Sequence, residues 1–124
     1  MSAWIGDRVS EYHDFLVYVG HSAPDAFPTE DYLAPHEQMT LRKAFDELVG
    51  AFSLLKQRVK DTEKLEVLRE MLAMSLEFYL AGDATAGART LQEFESIVWP
   101  KFHHDYGYAS VAQKRLRARL KRSE

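Results

Sequence analysis

The chain has no cysteine, which excludes disulfides, thiolate zinc sites and thiol nucleophiles together. Its six glycines form neither a phosphate-cradling loop nor a dinucleotide fingerprint. The Gly-x-Ser-x-Gly elbow of serine hydrolases is absent as well. No stretch approaches the roughly 20 apolar residues of a membrane span. The opening segment MSAWIGDR lacks a basic start leading into an apolar run, so no secretory signal is expected there. The reducing cytoplasm is therefore the expected setting. Sustained strand alternation is missing too, although Phe15-Leu16-Val17-Tyr18-Val19 would pass for a strand in isolation.

What remains is enough for a core. Hydrophobic residues make up 46% and aromatics 12% of 124 residues, a composition that argues for one folded domain over disorder. Charge is sorted along the chain. Residues 110–124 hold six bases (Lys114, Arg115, Arg117, Arg119, Lys121, Arg122) against Glu124, while 1–109 hold ten bases and eighteen acids. Sorting of this kind bears on partners and leaves catalysis unaddressed.

Helical periodicity runs through the rest. Ile5, Val9, Tyr12, Leu16 and Val19 make one amphipathic seam, and Gly20 sits where a helix-ending glycine belongs. Residues 21–37 carry Pro24, Pro28 and Pro35, four acids and no Lys or Arg. They predict an acidic loop, with one helical turn at Thr29–Leu33 capped by Thr29. Leu41, Phe45, Leu48, Phe52, Leu55 and Val59 predict a second helix ending at a turn near 60–62, where Asp61 or Thr62 can cap the next. On the third, 62–81, Leu65, Leu68, Leu72, Leu76 and Tyr79 form one stripe and Val67, Met71, Met74 and Phe78 another. Together they cover roughly 200° of the circumference, which predicts a central helix packed from two sides. Its remaining face carries Glu63, Glu66, Glu70 and Glu77.

Ala81-Gly82-Asp83 should end that helix and cap a fourth over 84–98, which would bury Ala84, Ala88, Leu91, Phe94 and Val98, with Gly87 allowing close approach. Pro100 stops it. A connector over 99–109 follows, dense in rings: Trp99, Phe102, His103, His104, Tyr106, Tyr108. Ser110 and Gln113 then match a capping box opening a basic amphipathic helix over 110–122. The expected fold is all-α: a single-domain antiparallel bundle of four main helices plus that C-terminal basic helix.

The candidate chemistries fail on spacing. His103-His104-Asp105 lacks the later Asp that a metal-dependent His-Asp phosphohydrolase needs, and His13-Asp14 has no His before it. No Glu has a His three residues on, as di-iron bundles require, and His36-Glu37 has no second His at the metalloprotease spacing. No metal, cofactor or catalytic residue is expected. The glutamates of 62–81 read as a solvated face, because an exposed carboxylate has little to shift its pKa. The basic helix could neutralise phosphates, but the negative body opposes nucleic acid and no aromatic follows Tyr108 in the tail.

Clustered carboxylates do steer a basic partner, and aromatic rings anchor interfaces. The residues expected to bind a protein partner are therefore Asp25, Glu30, Asp31, Glu37, Glu63, Glu66, Glu70, Glu77, Trp99, Phe102, Tyr106 and Tyr108. In size, helical class and charge the chain resembles the small, acidic, cysteine-free immunity proteins that block bacterial toxins, often nucleases with basic active sites. That resemblance implies a non-catalytic inhibitor whose carboxylates enter a basic cleft in the manner of phosphates. Two other readings stand beside it: a nucleic-acid-associated regulator using the basic helix, and a small-ligand binder or enzyme at 99–108. A second copy of the chain is another candidate partner, since it would cover the apolar central helix.

Overall fold

The computed structural model describes residues 4–100. Four α-helices fill that range: α1 (Val9–Ser22), α2 (Leu41–Gly50), α3 (Thr62–Leu80) and α4 (Ala84–Val98), with 3₁₀ turns at Pro35–Glu37 and Phe52–Gln57. Among the described residues there is no strand, and no helix is long and apolar enough to cross a membrane. The segment Phe15–Val19 is therefore helical. The basic helix expected over 110–122 lies outside the described residues.

Helices α3 and α4 form the tightest pair, and the joint between them explains why. Phe78 O accepts from the Asp83 N–H at 2.8 Å and Tyr79 O accepts from the Gly82 N–H at 3.1 Å. These are the two bonds of a Schellman cap, with Gly82 at φ +87° supplying the left-handed residue. Asp83 then accepts from Ala86 N at 3.0 Å and so starts α4. Three residues end one helix and open the next. Further along, the Tyr79 ring fills the space beside Gly87, where a Cβ would meet it at 2.8 Å. The Ser75 hydroxyl donates to Gly87 O at 2.8 Å, and Thr90 donates to Ala86 O at 2.8 Å.

These small and polar contacts shift the buried face of α4 toward Ala86, Gly87 and Thr90, while Leu91, Phe94 and Val98 are buried as the pattern predicts. Ala86, Gly87, Thr90, Leu91, Glu93, Phe94 and Val98 are buried, whereas Ala84 is exposed and Ala88 half-buried. On α3 the two expected stripes are buried from Leu65 to Leu72 and again at Tyr79. Leu76, Met74 and Phe78 are only half-covered, and Ser75, which broke the apolar pattern, is fully buried.

Three boundaries differ from the periodicity, each for a local reason. Ile5 belongs to the core but precedes α1, because Gly6 turns the chain at φ +40°. Gly20 does not end α1; the helix runs to Ser22, with Ala23 N–H bonded to Val19 O at 2.8 Å. Pro24 then cannot donate the next helical bond. The seam from Leu41 to Val59 is not one helix. α2 stops at Gly50, and Phe52 and Leu55 continue the buried side three residues apart, which suits a 3₁₀ turn. The capping residues are Thr40, which accepts from Lys43 N at 3.3 Å, and Asp61, which accepts from Glu63 N at 2.9 Å and Lys64 N at 3.3 Å.

The acidic connection between α1 and α2 is ordered by a residue that its charge pattern did not flag. The Gln38 amide donates to Glu30 O and Leu33 O, and its oxygen accepts from Glu30 N, all at 2.9 Å. Residues 30–33 form a hydrogen-bonded turn, not the helical turn expected there, and the short 3₁₀ element falls later, at Pro35–Glu37. Lys43 Nζ donates to His36 O, and to Gln38 O at 3.1 Å, which ties the connection to α2.

Tyr12 locks α1 into the bundle. It is fully buried, its hydroxyl donates to Leu48 O at 2.8 Å, and its ring lies 6.4 Å from both Phe94 and Trp99. Burial pushes its ionisation well above the ordinary tyrosine range, with Arg69 acting in the opposite sense. α1 packs on α2, α4 and the 3₁₀ segment 52–57, and α3 packs on the same three. α1 and α3 thus stand diagonally, with their neighbours between them. Arg58 closes the far end, its Nε–H donating to Val98 O at 3.0 Å. Arg69 of α3 lies over the Phe52 ring, 4.4 Å from its centroid.

Two substitutions test this packing. Tyr12→Phe should lower unfolding free energy by about 2 kcal/mol in chemical denaturation, because Leu48 O is left buried without its donor. Gly87→Ala should cost about 1–3 kcal/mol, since the new methyl drives into the Tyr79 ring; an unchanged denaturation midpoint would contradict the close α3–α4 contact.

Candidate functional site

Two surfaces gather acidic residues into clusters. The first is the outer face of α3. At 100° per residue Glu63, Glu66, Glu70 and Glu77 fall within an arc of about 60°, and all four are exposed. Arg69 is drawn to one side of that arc by its contact with Phe52. Leu80, 49% exposed, extends the face at the end of the helix.

The second surface is on α1, and the residue pattern did not identify it. Trp4 folds back over the helix so that its ring stacks on Tyr18, with centroids 6.4 Å apart and planes 12° from parallel. Phe15 lies 6.3 Å from Trp4 and 5.5 Å from Tyr18. Tyr18 continues edge-on to Phe27 at 5.7 Å. Beside this row of rings an open groove of about 290 Å³ is lined by Trp4, Glu11, Asp14, Phe15 and Tyr18. The signal was present as spacing: positions 11, 14, 15 and 18 follow the i, i+3, i+4, i+7 pattern of one helical strip. The mixture of acids and rings hid it from a hydrophobic count. Trp4, outside any helix, gave no periodic cue.

The groove is held from its N-terminal side by Gly6. A Cβ there would overlap the Glu11 carboxylate at 2.2–2.7 Å, so the missing side chain makes room for that acid. The opposite end meets the 21–37 connection. Tyr18 ionises above the ordinary tyrosine range, first because burial disfavours the phenolate, then because Glu30 and Tyr32 lie near. Glu30 therefore acts on Tyr18 from the connection without lining the groove. Asp25 and Asp31 are exposed on the same connection. Glu37 acts locally, its carboxylate accepting from Ala34 N at 2.9 Å and fixing the 3₁₀ turn.

The ring cluster expected at 99–108 divides differently. Trp99 is 4% exposed and roofs the core beside Tyr12; it does not present a face to a partner. Phe102, Tyr106, Tyr108 and the His103-His104-Asp105 triplet lie outside the described residues. Next to Trp99, His13 Nε2 is 2.8 Å from Glu95 Oε2, with the imidazole 4.5 Å from the indole. This pair clasps α1 to α4. Among the described residues no three His, Asp or Glu side chains are grouped to hold a metal ion. A wider groove of about 450 Å³ between the end of α1 and α4 is lined by Ala23, Ala84, Thr85, Ala88, Arg89 and Gln92, none of them an acid.

Elsewhere burial also pushes Tyr79 up to about 12. Its hydroxyl is buried with no hydrogen-bond partner among the described residues. Because the Tyr79 ring is wedged against Gly87 and 6.1 Å from Phe45, it belongs to the helix packing and to neither acidic surface.

Comparison with protein-family models, with curated proteins and with solved structures gives no match.

The link between the groove and the 21–37 connection can be measured. Following the Tyr18 ring resonances through an alkaline titration should give a pKa above the ordinary value. Glu30→Gln should lower it, since removing a nearby negative charge favours the phenolate. An unmoved Tyr18 titration would separate Glu30 from the groove.

Proposed function

We propose that this chain is a non-catalytic protein-binding module that recognises a basic partner through its acidic surface. An immunity-type inhibitor of a bacterial toxin, working in the cytoplasm, is the specific form of that reading. The observation that carries it is the α3 stripe: four exposed glutamates within one narrow arc, on a helix whose other side is fixed in the core. A row of carboxylates on a helix backbone fixed by the core suits a basic cleft, because only the side chains, and not the helix, must be ordered on binding. Such a row raises the encounter rate with a positive partner and repels negative ones. The same repulsion counts against nucleic acid as a partner for this face.

The test is charge reversal in the full chain. Glu66→Lys, Glu70→Lys and Glu77→Lys together should weaken binding to a protein that co-purifies with the chain by about a hundredfold or more, given that close charge pairs couple by about 1.5 kcal/mol or more each. Thermal stability should change little, as all three side chains are exposed. Undiminished affinity would remove the α3 face from the interface.

A further inference from the structure

We infer that the groove on α1 is an anchor site for an arginine side chain of a basic partner protein. This rests on the reading of the chain as an acidic binding module and locates a contact that the α3 stripe does not provide. Three features of the groove select the ligand chemistry. Its rings form a continuous aromatic wall, with Trp4 and Tyr18 half-buried at the surface and Phe15 buried behind them, and ring faces attract cations. Two carboxylates, Glu11 and Asp14, line the same groove, and Glu30 acts on Tyr18 from the adjoining connection. An anion would be repelled by all three, and a neutral apolar group would leave the acids without a counter-charge. A cation satisfies both halves.

The shape then selects the source. Sites for free small molecules usually enclose most of the ligand, whereas this groove is open along the helix. A cation delivered on a protein side chain brings its own cover, because the surrounding surface of the partner completes the burial. Arginine fits better than lysine. Its planar guanidinium stacks on aromatic faces while its N–H groups reach a carboxylate, and it is more weakly hydrated than an ammonium. The chain already contains that pairing internally, with Arg69 set over Phe52 at 4.4 Å.

The groove also has the build of an anchor. Asp14 is exposed at its rim, Glu11 is seated against Gly6, and Trp4 is held in place by stacking on Tyr18. Aromatic residues and arginine dominate the binding energy of protein interfaces. The α3 stripe has carboxylates without rings, and the α1 groove has both.

The probes are an oligoarginine peptide and an oligolysine peptide of equal length, titrated into the full chain by calorimetry with the indole N–H resonances followed in parallel. Oligoarginine should bind more tightly and shift the Trp4 indole signal while leaving that of buried Trp99 in place. Trp4→Leu should weaken oligoarginine about fivefold or more. Asp14→Asn, at an exposed position that leaves the core intact, should weaken it about threefold. Glu66→Gln with Glu70→Gln should change it less than either. Equal affinity for the two peptides, with the same response to Trp4→Leu, would overturn the assignment to arginine. If affinity follows Glu66 and Glu70 and ignores Trp4 and Asp14, the groove is overturned while the acidic α3 face stands. Absence of any Trp4 shift overturns the groove as well, and the stripe reversal against the co-purifying partner then judges the broader reading separately.

Discussion

The hydrogen bond from the Tyr12 hydroxyl to Leu48 O, at 2.8 Å, is the contact on which the arrangement of helices turns. It connects α1 to the last turn of α2, where the helical hydrogen-bond ladder runs out and carbonyls need other donors. The ring that carries the hydroxyl lies against Phe94 and Trp99. One side chain therefore fixes α1 against α2 and α4 together. With α1 set in that place, the flank about 100–160° round the helix from Tyr12 looks outward. That flank is where Glu11, Asp14 and Tyr18 meet Trp4. The geometry of the groove is a consequence of the buried bond beneath it.

A second constraint acts on the other half of the bundle. The α3–α4 hairpin is set by small contacts: Gly82 in its left-handed turn, Gly87 under the Tyr79 ring, Ser75 bonded to Gly87 O. Close approach there buries one side of α3 and leaves Glu63, Glu66, Glu70 and Glu77 on the other. The two acidic surfaces have separate structural origins, one in an aromatic hydroxyl and one in the lack of side chain at a glycine. They stand on diagonal helices and offer a partner two different mixtures of groups.

Much of this fold was legible in the residue order. The all-helical class, the 81–83 joint, the near-boundaries of α3 and α4 and the buried positions of the second seam follow from periodicity and capping chemistry. The misses share a cause. Periodicity registers apolar side chains and overlooks polar ones that a neighbour satisfies, so Ser75, Thr90 and Glu93 escaped as buried residues. It also cannot distinguish an α-helix from a 3₁₀ turn when both keep Phe52 and Leu55 on one side. For the site, the carboxylates were readable because charge is explicit in the sequence. The groove was not: its key ring, Trp4, joins through a turn at Gly6, and a tertiary contact of that kind leaves no repeat to read. Trp99 shows the converse, a ring placed in the interface by its residue type and in the core by its neighbours.

If the chain binds a basic protein as proposed, the partner docks on the acidic surfaces of α3 and α1. Backbone NMR shift mapping of the full chain, titrated with a protein that co-purifies with it, tests this most directly. The predicted result is a set of perturbations concentrated on the outer face of α3 from Glu63 to Glu77 and on the strip from Trp4 to Tyr18. Perturbations that spare both strips and fall elsewhere on the chain would contradict it.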